Sequence, residues 1–113
     1  MEILEARTGG MAVVHVVGHV NSGNAPELDE RLKQLVGEGC RGIVIDLARL
    51  DHMTSAGFRC LLRADRQVRD AAGKLVLCGL QGLTLELFEV GGFLEMLTIA
   101  PTREEAVRQA TVT

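Results

Sequence analysis

The sequence predicts an α/β domain: a mixed central β-sheet with an N-terminal hairpin and parallel strands, and about four helices packed mainly on one face. Three observations predict it. Strand-like apolar runs alternate with helix-like segments along the chain. Glu2 to Arg7 and Met11 to Val20 read as two strands joined by the turn Thr8-Gly9-Gly10, an N-terminal hairpin. In the second strand Val14, Val16, Gly18 and Val20 share one face, while Val13, His15, Val17 and His19 share the other. One face is apolar and the other mixed, the pattern of a sheet covered by helices on one side and only partly on the other.

The remaining elements follow in order. Asn24-Ala25-Pro26-Glu27 is a helix-start signal: Asn24 can cap free N–H groups, Glu27 can reach back, and Pro26 is tolerated in the first turn. The helix should run to about Glu38. Leu28, Leu32, Leu35 and Val36 form its apolar stripe, Asp29, Glu30, Arg31 and Lys33 turn toward water, and Gly37 and Gly39 offer stops. A buried strand follows from Gly42 to Leu47, then a helix opened by HMTSAGFRCLL, His52 to Leu62, whose buried face is Phe58, Leu61, Leu62 and Val68. Lys74 to Cys78 reads as a strand, Leu83 to Val90 contains a helical segment, and Leu97 to Ile99 a short strand. The last helix opens with the capping box Thr102-Arg103-Glu104-Glu105 and buries Ala106, Val107 and Ala110. Repeated strand-helix-strand units imply right-handed crossovers and a partly parallel sheet.

Composition narrows the function classes. A chain of 113 residues, 47% hydrophobic and 24% charged, suits one globular domain over 1–113. A net charge of −3 and 3% aromatic residues supply neither the basic footprint nor the stacking platform of a nucleic-acid binder. The apolar runs are strand-sized, and MEILEARTGG lacks the parts of a signal peptide, so a cytoplasmic protein without direct membrane insertion is expected. Cys40, Cys60 and Cys78 are odd in number, far apart and without a CxxC pairing, which fits reduced, buried thiols. His15 and His19 on a strand would sit about 13 Å apart, too far to chelate one ion, so neither a metal nor a cofactor is expected.

The hydroxyls of Thr54 and Ser55 stand between a β-like run and a helix, and three readings are open. One of them caps the helix. A nucleophile elbow would need glycine where Met53 stands, and no histidine can be placed as its base. A phosphate at a helix N-terminus would meet unpaired N–H groups and the positive end of the dipole, so the domain could stay folded while its docking changed.

The stretch IVIDLARLDHMTSAGFRCLL, Ile43 to Leu62, resembles the signature of the STAS domain family, specifically the bacterial anti-sigma factor antagonists. GHVNSGNAPELDERL, Gly18 to Leu32, is similar to the family's Gly-x-x-Asp segment, and LTIAPTREEAV, Leu97 to Val107, to its closing strand and helix. The resemblance implies a STAS fold and a non-enzymatic partner switch. The unphosphorylated protein would bind an anti-sigma factor that is also a serine kinase of the histidine-kinase-like ATPase fold, freeing the sigma factor. The kinase would release it by phosphorylation, and a PP2C-type phosphatase would restore it. Carried over by position, the phosphoacceptor is Ser55, with Thr54 as the alternative, and Gly57 permits close backbone approach at the helix start.

Two positions depart from the family. Thr54 and Asn21 stand where it often has Asp, which removes negative charge near the acceptor. The docking surface expected around it comprises Asn21, Thr54, Ser55, Ala56, Gly57, Arg59 and Arg63. Arg59, Arg63 and Arg66 follow i, i+4, i+7 spacing and form a basic stripe continued by Asp70, either a solvated helix face or a complement to an acidic partner. Phe88 and Phe93, flanking Gly91-Gly92, read as core or as a partner-facing patch. The alternative from another class is a STAS accessory subunit of a membrane lipid-transporting ABC complex, contacting the ATPase without phosphorylation. An open edge at the hairpin would leave self-association available.

Overall fold

The computed structural model describes residues 1–111; the last two residues of the expected domain, 112 and 113, lie outside the described residues. The hairpin forms as β1 (Glu2–Thr8) against β2 (Met11–Val20), antiparallel, with Glu2 opposite Val17 and Thr8 opposite Met11. After α1 (Ala25–Gly37), β3 (Gly42–Asp46) returns parallel to β2, and β4 (Leu50–Met53) also pairs β2 in parallel, farther along. Helix α2 (Ser55–Asp70) leads to β5 (Lys74–Cys78), parallel to β3. Helices α3 (Gly82–Val90) and α4 (Phe93–Met96), strand β6 (Thr98–Ile99) and helix α5 (Arg103–Ala110) complete the described chain. The sheet order is β1-β2-β3-β5-β6, with β4 attached to β2 off this path.

Period-two alternation sorts the core into two layers. Val14 and Val16 of β2, Ile43 and Ile45 of β3 and Leu75 and Leu77 of β5 face α1, α2 and α3, and all six are buried. Val44, Val76 and Cys78 face the other way, against Ala106 and Ala110 of α5. The small side chains of α5 let it lie close on β3 and β5, but it leaves the hairpin uncovered on that side, where Leu4 stays 40% exposed. The helices therefore lie mainly on one face, as expected.

Among the described residues there are five helices rather than about four. The extra one, α4, is a single turn that Gly92, at φ +75, separates from α3. β4 was also absent from the sequence reading, because Leu50 and Met53, its two buried residues, do not alternate. In α2, Cys60 and Ala64 join Phe58, Leu61 and Val68 in the core, while Leu62 is only half-buried. Phe58, Phe88 and Phe93 form one aromatic cluster, Phe58 stacked on Phe93 at 4.7 Å and edge-on to Phe88 at 4.9 Å. Phe88 and Phe93 are thus core, although Leu83, Val90 and Met96 beside them are exposed.

Candidate functional site

The end of β2 decides where the hydroxyl-bearing turn lies. At Gly18, whose φ of +95 disfavours any side chain, the register shifts and the strand turns from β3 to β4. Val20 then pairs with Met53, and Thr54 N–H donates to Val20 C=O at 2.9 Å. This bond ties the start of α2 to the start of the loop leading into α1. Asn21 opens that loop: its Oδ1 accepts from Gly23 N–H at 2.9 Å and Asn24 N–H at 3.1 Å.

Asn24 does not cap α1, contrary to expectation. Its backbone is already helical, at φ −113 and ψ −11, whereas a capping side chain needs an extended backbone to reach the N–H groups ahead. Its side chain instead turns back, accepting from Asn21 N–H at 2.8 Å and donating to His19 C=O at 3.0 Å. Glu27 makes no reciprocal bond to it among the described residues. Asn21, expected on the docking surface, is thus a half-buried turn former whose Oδ1 an Asp could match.

Thr54 is the N-cap of α2, yet its side chain caps nothing; Thr54 Oγ1 is buried with no hydrogen-bond partner among the described residues. Gly57 and Phe58 N–H both donate to Thr54 C=O. Ser55, the first helical residue, is exposed. No acidic residue lies in the first turn of α2, so the positive end of a 16-residue helix stands unneutralised beside the Ser55 hydroxyl. Gly57 is buried, and a Cβ there would lie 2.5 Å from Met53 Cγ and 3.0 Å from Val20 Cγ1. Glycine at 57 is what lets α2 start directly against β2 and β4.

A shallow groove of about 180 Å³, bordered by Ala56, the residue after Ser55, runs between the starts of α1 and α2, with Asp29 on one wall and Arg59 and Arg63 on the other. Arg63 Nε donates to Asp29 Oδ1 at 3.3 Å and Oδ2 at 3.2 Å, so Asp29 is engaged across the helix pair rather than turned only to water. Arg59 is exposed and has no ionic partner among the described residues. Burial, with the Asp29 carboxylate adding to it, pushes the Cys60 thiol up to about 12, and burial pushes Cys78 up to about 11. Both are buried, inert thiols, and Cys40 is buried and free as well.

The structure therefore brings Thr54, Ser55, Ala56, Gly57, Arg59 and Arg63 together, with Asn21 next in the chain to Val20, whose C=O accepts from Thr54 N–H. Ser22 and Asp29, which also line the groove, were missed by the sequence reading; their signal is the i, i+4 row Ala25 and Asp29 beside the leucine stripe. His15 lies elsewhere, its Nδ1 3.5 Å from Asp46 Oδ2, while His19 and His52 are exposed register partners on β2 and β4. A larger concavity of about 600 Å³, lined by Ala6, Met11, Val13 and Val107, lies on the opposite sheet face, away from Ser55. No helix among the described residues is long and apolar enough to cross a membrane.

The architecture is a mostly parallel sheet extended by an antiparallel N-terminal hairpin, with an exposed serine at the helix start after β4. The chain belongs to the STAS domain family, whose domain matches residues 3–106. Within that family it is a homologue of anti-sigma factor antagonists. It is 41% identical over 106 residues to BtrV of Bordetella bronchiseptica, provisionally assigned as an anti-sigma factor antagonist, covering 94% of this chain and 91% of that one. Its fold is shared with an anti-sigma factor antagonist from Mycobacterium paratuberculosis, with a TM-score of 0.86, 20% identity and coverage of 96% of this chain and 92% of that one. It is shared too with the Bacillus protein SpoIIAA in its phosphorylated form, with a TM-score of 0.74, 20% identity and coverage of 97% of this chain and 100% of that one.

Proposed function

We propose that the protein is a single-domain anti-sigma factor antagonist, over residues 1–113, that works by phosphorylation-controlled partner switching. Unmodified, it binds an anti-sigma factor that is also a serine kinase of the histidine-kinase-like ATPase fold, and the sigma factor is released. Phosphate on Ser55 ends that complex, and a PP2C-type phosphatase restores it. The observation that carries this reading is the exposed Ser55 hydroxyl at the uncapped, positively polarised start of α2, in a chain 41% identical to BtrV over nearly its whole length. Thr54 is the poorer acceptor because its Oγ1 is buried. A phosphate at position 55 would be accommodated by the helix start without unfolding, and would add about two negative charges where a partner must be desolvated.

The test is intact mass and site mapping after incubation with the host's anti-sigma kinase and Mg-ATP, comparing wild type with Ser55→Ala and Thr54→Ala. One added phosphate, lost only in Ser55→Ala, is the expected result. An active kinase that binds the protein yet adds no phosphate to any sample would overturn the switch and favour constitutive docking, as in a transport-complex subunit.

A further inference from the structure

The arginines of α2 differ in what holds them. Arg63 is drawn to Asp29, and Arg69 Nε lies 2.9 Å from Asp65 Oδ2. Arg59 and Arg66 have no ionic partner among the described residues, and of the two only Arg59 lines the groove, one helical turn after Ser55. Helical side chains lean toward the N-terminus, so a residue at i+4 covers the surface above residue i. The reach of Arg59 therefore falls on the Ser55 position and the groove mouth.

We propose that Arg59 is a two-state docking residue: in the unmodified protein its guanidinium receives a carboxylate from an acidic segment of the anti-sigma partner, and in the phosphorylated protein the Ser55 phosphate captures it. This rests on the partner-switching reading above. Charge complementarity selects the partner's chemistry. The groove's two guanidiniums and one carboxylate leave one net positive charge, and a phosphate of about −2 inverts it to about −1. The Asp29 carboxylate on the far wall repels that phosphate and holds Arg63, leaving Arg59, one helical turn on, and the helix N-terminus as its favourable neighbours. Capture within one helix turn also competes at a high effective concentration against a carboxylate from a second molecule, and a guanidinium holds phosphate through paired, charge-assisted bonds. Phosphorylation then does two things at once: it adds repulsion and removes the cation the partner uses.

Two measurements test this. In the first, phosphoserine is incorporated at position 55 during synthesis, without any kinase, and its second ionisation is followed by phosphorus NMR in Arg59, Arg59→Ala and Arg59→Lys proteins. Its ordinary value is about 6, and it should lie about half a unit or more lower with Arg59 than with alanine, lysine falling between. Equal values in all three would overturn the capture. In the second, unphosphorylated Arg59→Ala and Arg59→Glu are titrated against the host's anti-sigma kinase. Affinity should fall about tenfold with alanine and further with glutamate, while Lys74→Ala, an exposed cation at the start of β5, should change it less than about twofold. Equal loss in Arg59→Ala and Lys74→Ala, or none in either, would overturn the docking role. Because the first measurement needs no kinase, failure of the kinase to modify Ser55 would count against partner switching alone.

Discussion

Helices α2 and α5 begin with the same residue and finish differently. Thr102, at φ −134 and ψ 162, accepts from Glu105 N–H at 3.1 Å, and two glutamates in the first turn of α5 complement its dipole. Thr54, at φ −87 and ψ 175, is equally extended, yet its hydroxyl bonds nothing and no acid follows. The difference lies in the sheet. Thr54 N–H is committed to Val20 C=O, so strand pairing rather than the helix orients the residue. At the third helical position α5 has Glu105 and α2 has Gly57, whose N–H bonds Thr54 C=O and whose missing side chain allows close packing on Met53 and Val20. One helix start is closed by a side-chain cap and first-turn acids; the other has neither among the described residues.

Four substitutions break or sharpen the contrast. Gly57→Ala should have the largest effect: its Cβ would lie 2.5 Å from Cγ of the buried Met53 and 3.0 Å from Val20 Cγ1, and a loss of about 1–3 kcal/mol is expected from urea unfolding. Next, the same change made at both caps should give opposite results. Thr102→Val should cost about 1 kcal/mol by freeing Glu105 N–H, whereas Thr54→Val removes an unpaired buried hydroxyl and should be neutral or stabilising by up to about 1 kcal/mol. Equal losses in the two would mean that Thr54 does cap α2 in solution.

The smallest effect concerns acids along the two helices. Glu105 is part of an exposed pair with Arg108, but Asp65 of α2 is buried, and burial raises its pKa despite Arg69. The folded state therefore takes up a proton on Asp65 at higher pH than the unfolded chain, and this group adds stability as pH falls through the raised value. Asp65→Asn should thus be the more stable protein at neutral pH, with an advantage that shrinks on acidification and is gone below the ordinary Asp value of 3.8. Unfolding midpoints of both proteins across that range check it; an advantage that grew on acidification would reverse the assignment.

Much of this was legible before any coordinates. Val14 and Val16 declare a strand and its apolar face by period two, the apolar runs 43–45 and 75–77 declare strands without showing which face is which, and Leu28, Leu32 and Leu35 declare a helix stripe. Half of the Thr102 capping box forms, because Glu105 N–H lies three residues away, while the Glu105 carboxylate accepts from Arg108 and Gln109 instead of reaching back to Thr102. The Asn24 cap does not form, because Asn21 and His19 take its side chain into a turn that a cap rule cannot see.

By itself, then, the sequence determined the order of the elements apart from β4 and α4, the apolar face of the sheet and the presence of a hydroxyl at a helix start, since these depend on residues within a few positions of one another. Only the tertiary structure decided that Ser55 is open while Thr54 is buried, that β4 joins β2 beyond Gly18, and that Asp29 meets Arg63 while Arg59 stays free. Each of those outcomes is a contact between segments roughly thirty residues apart, such as Val20 with Thr54. Local propensity carries no information about such pairs; the closing of the sheet around them supplies it.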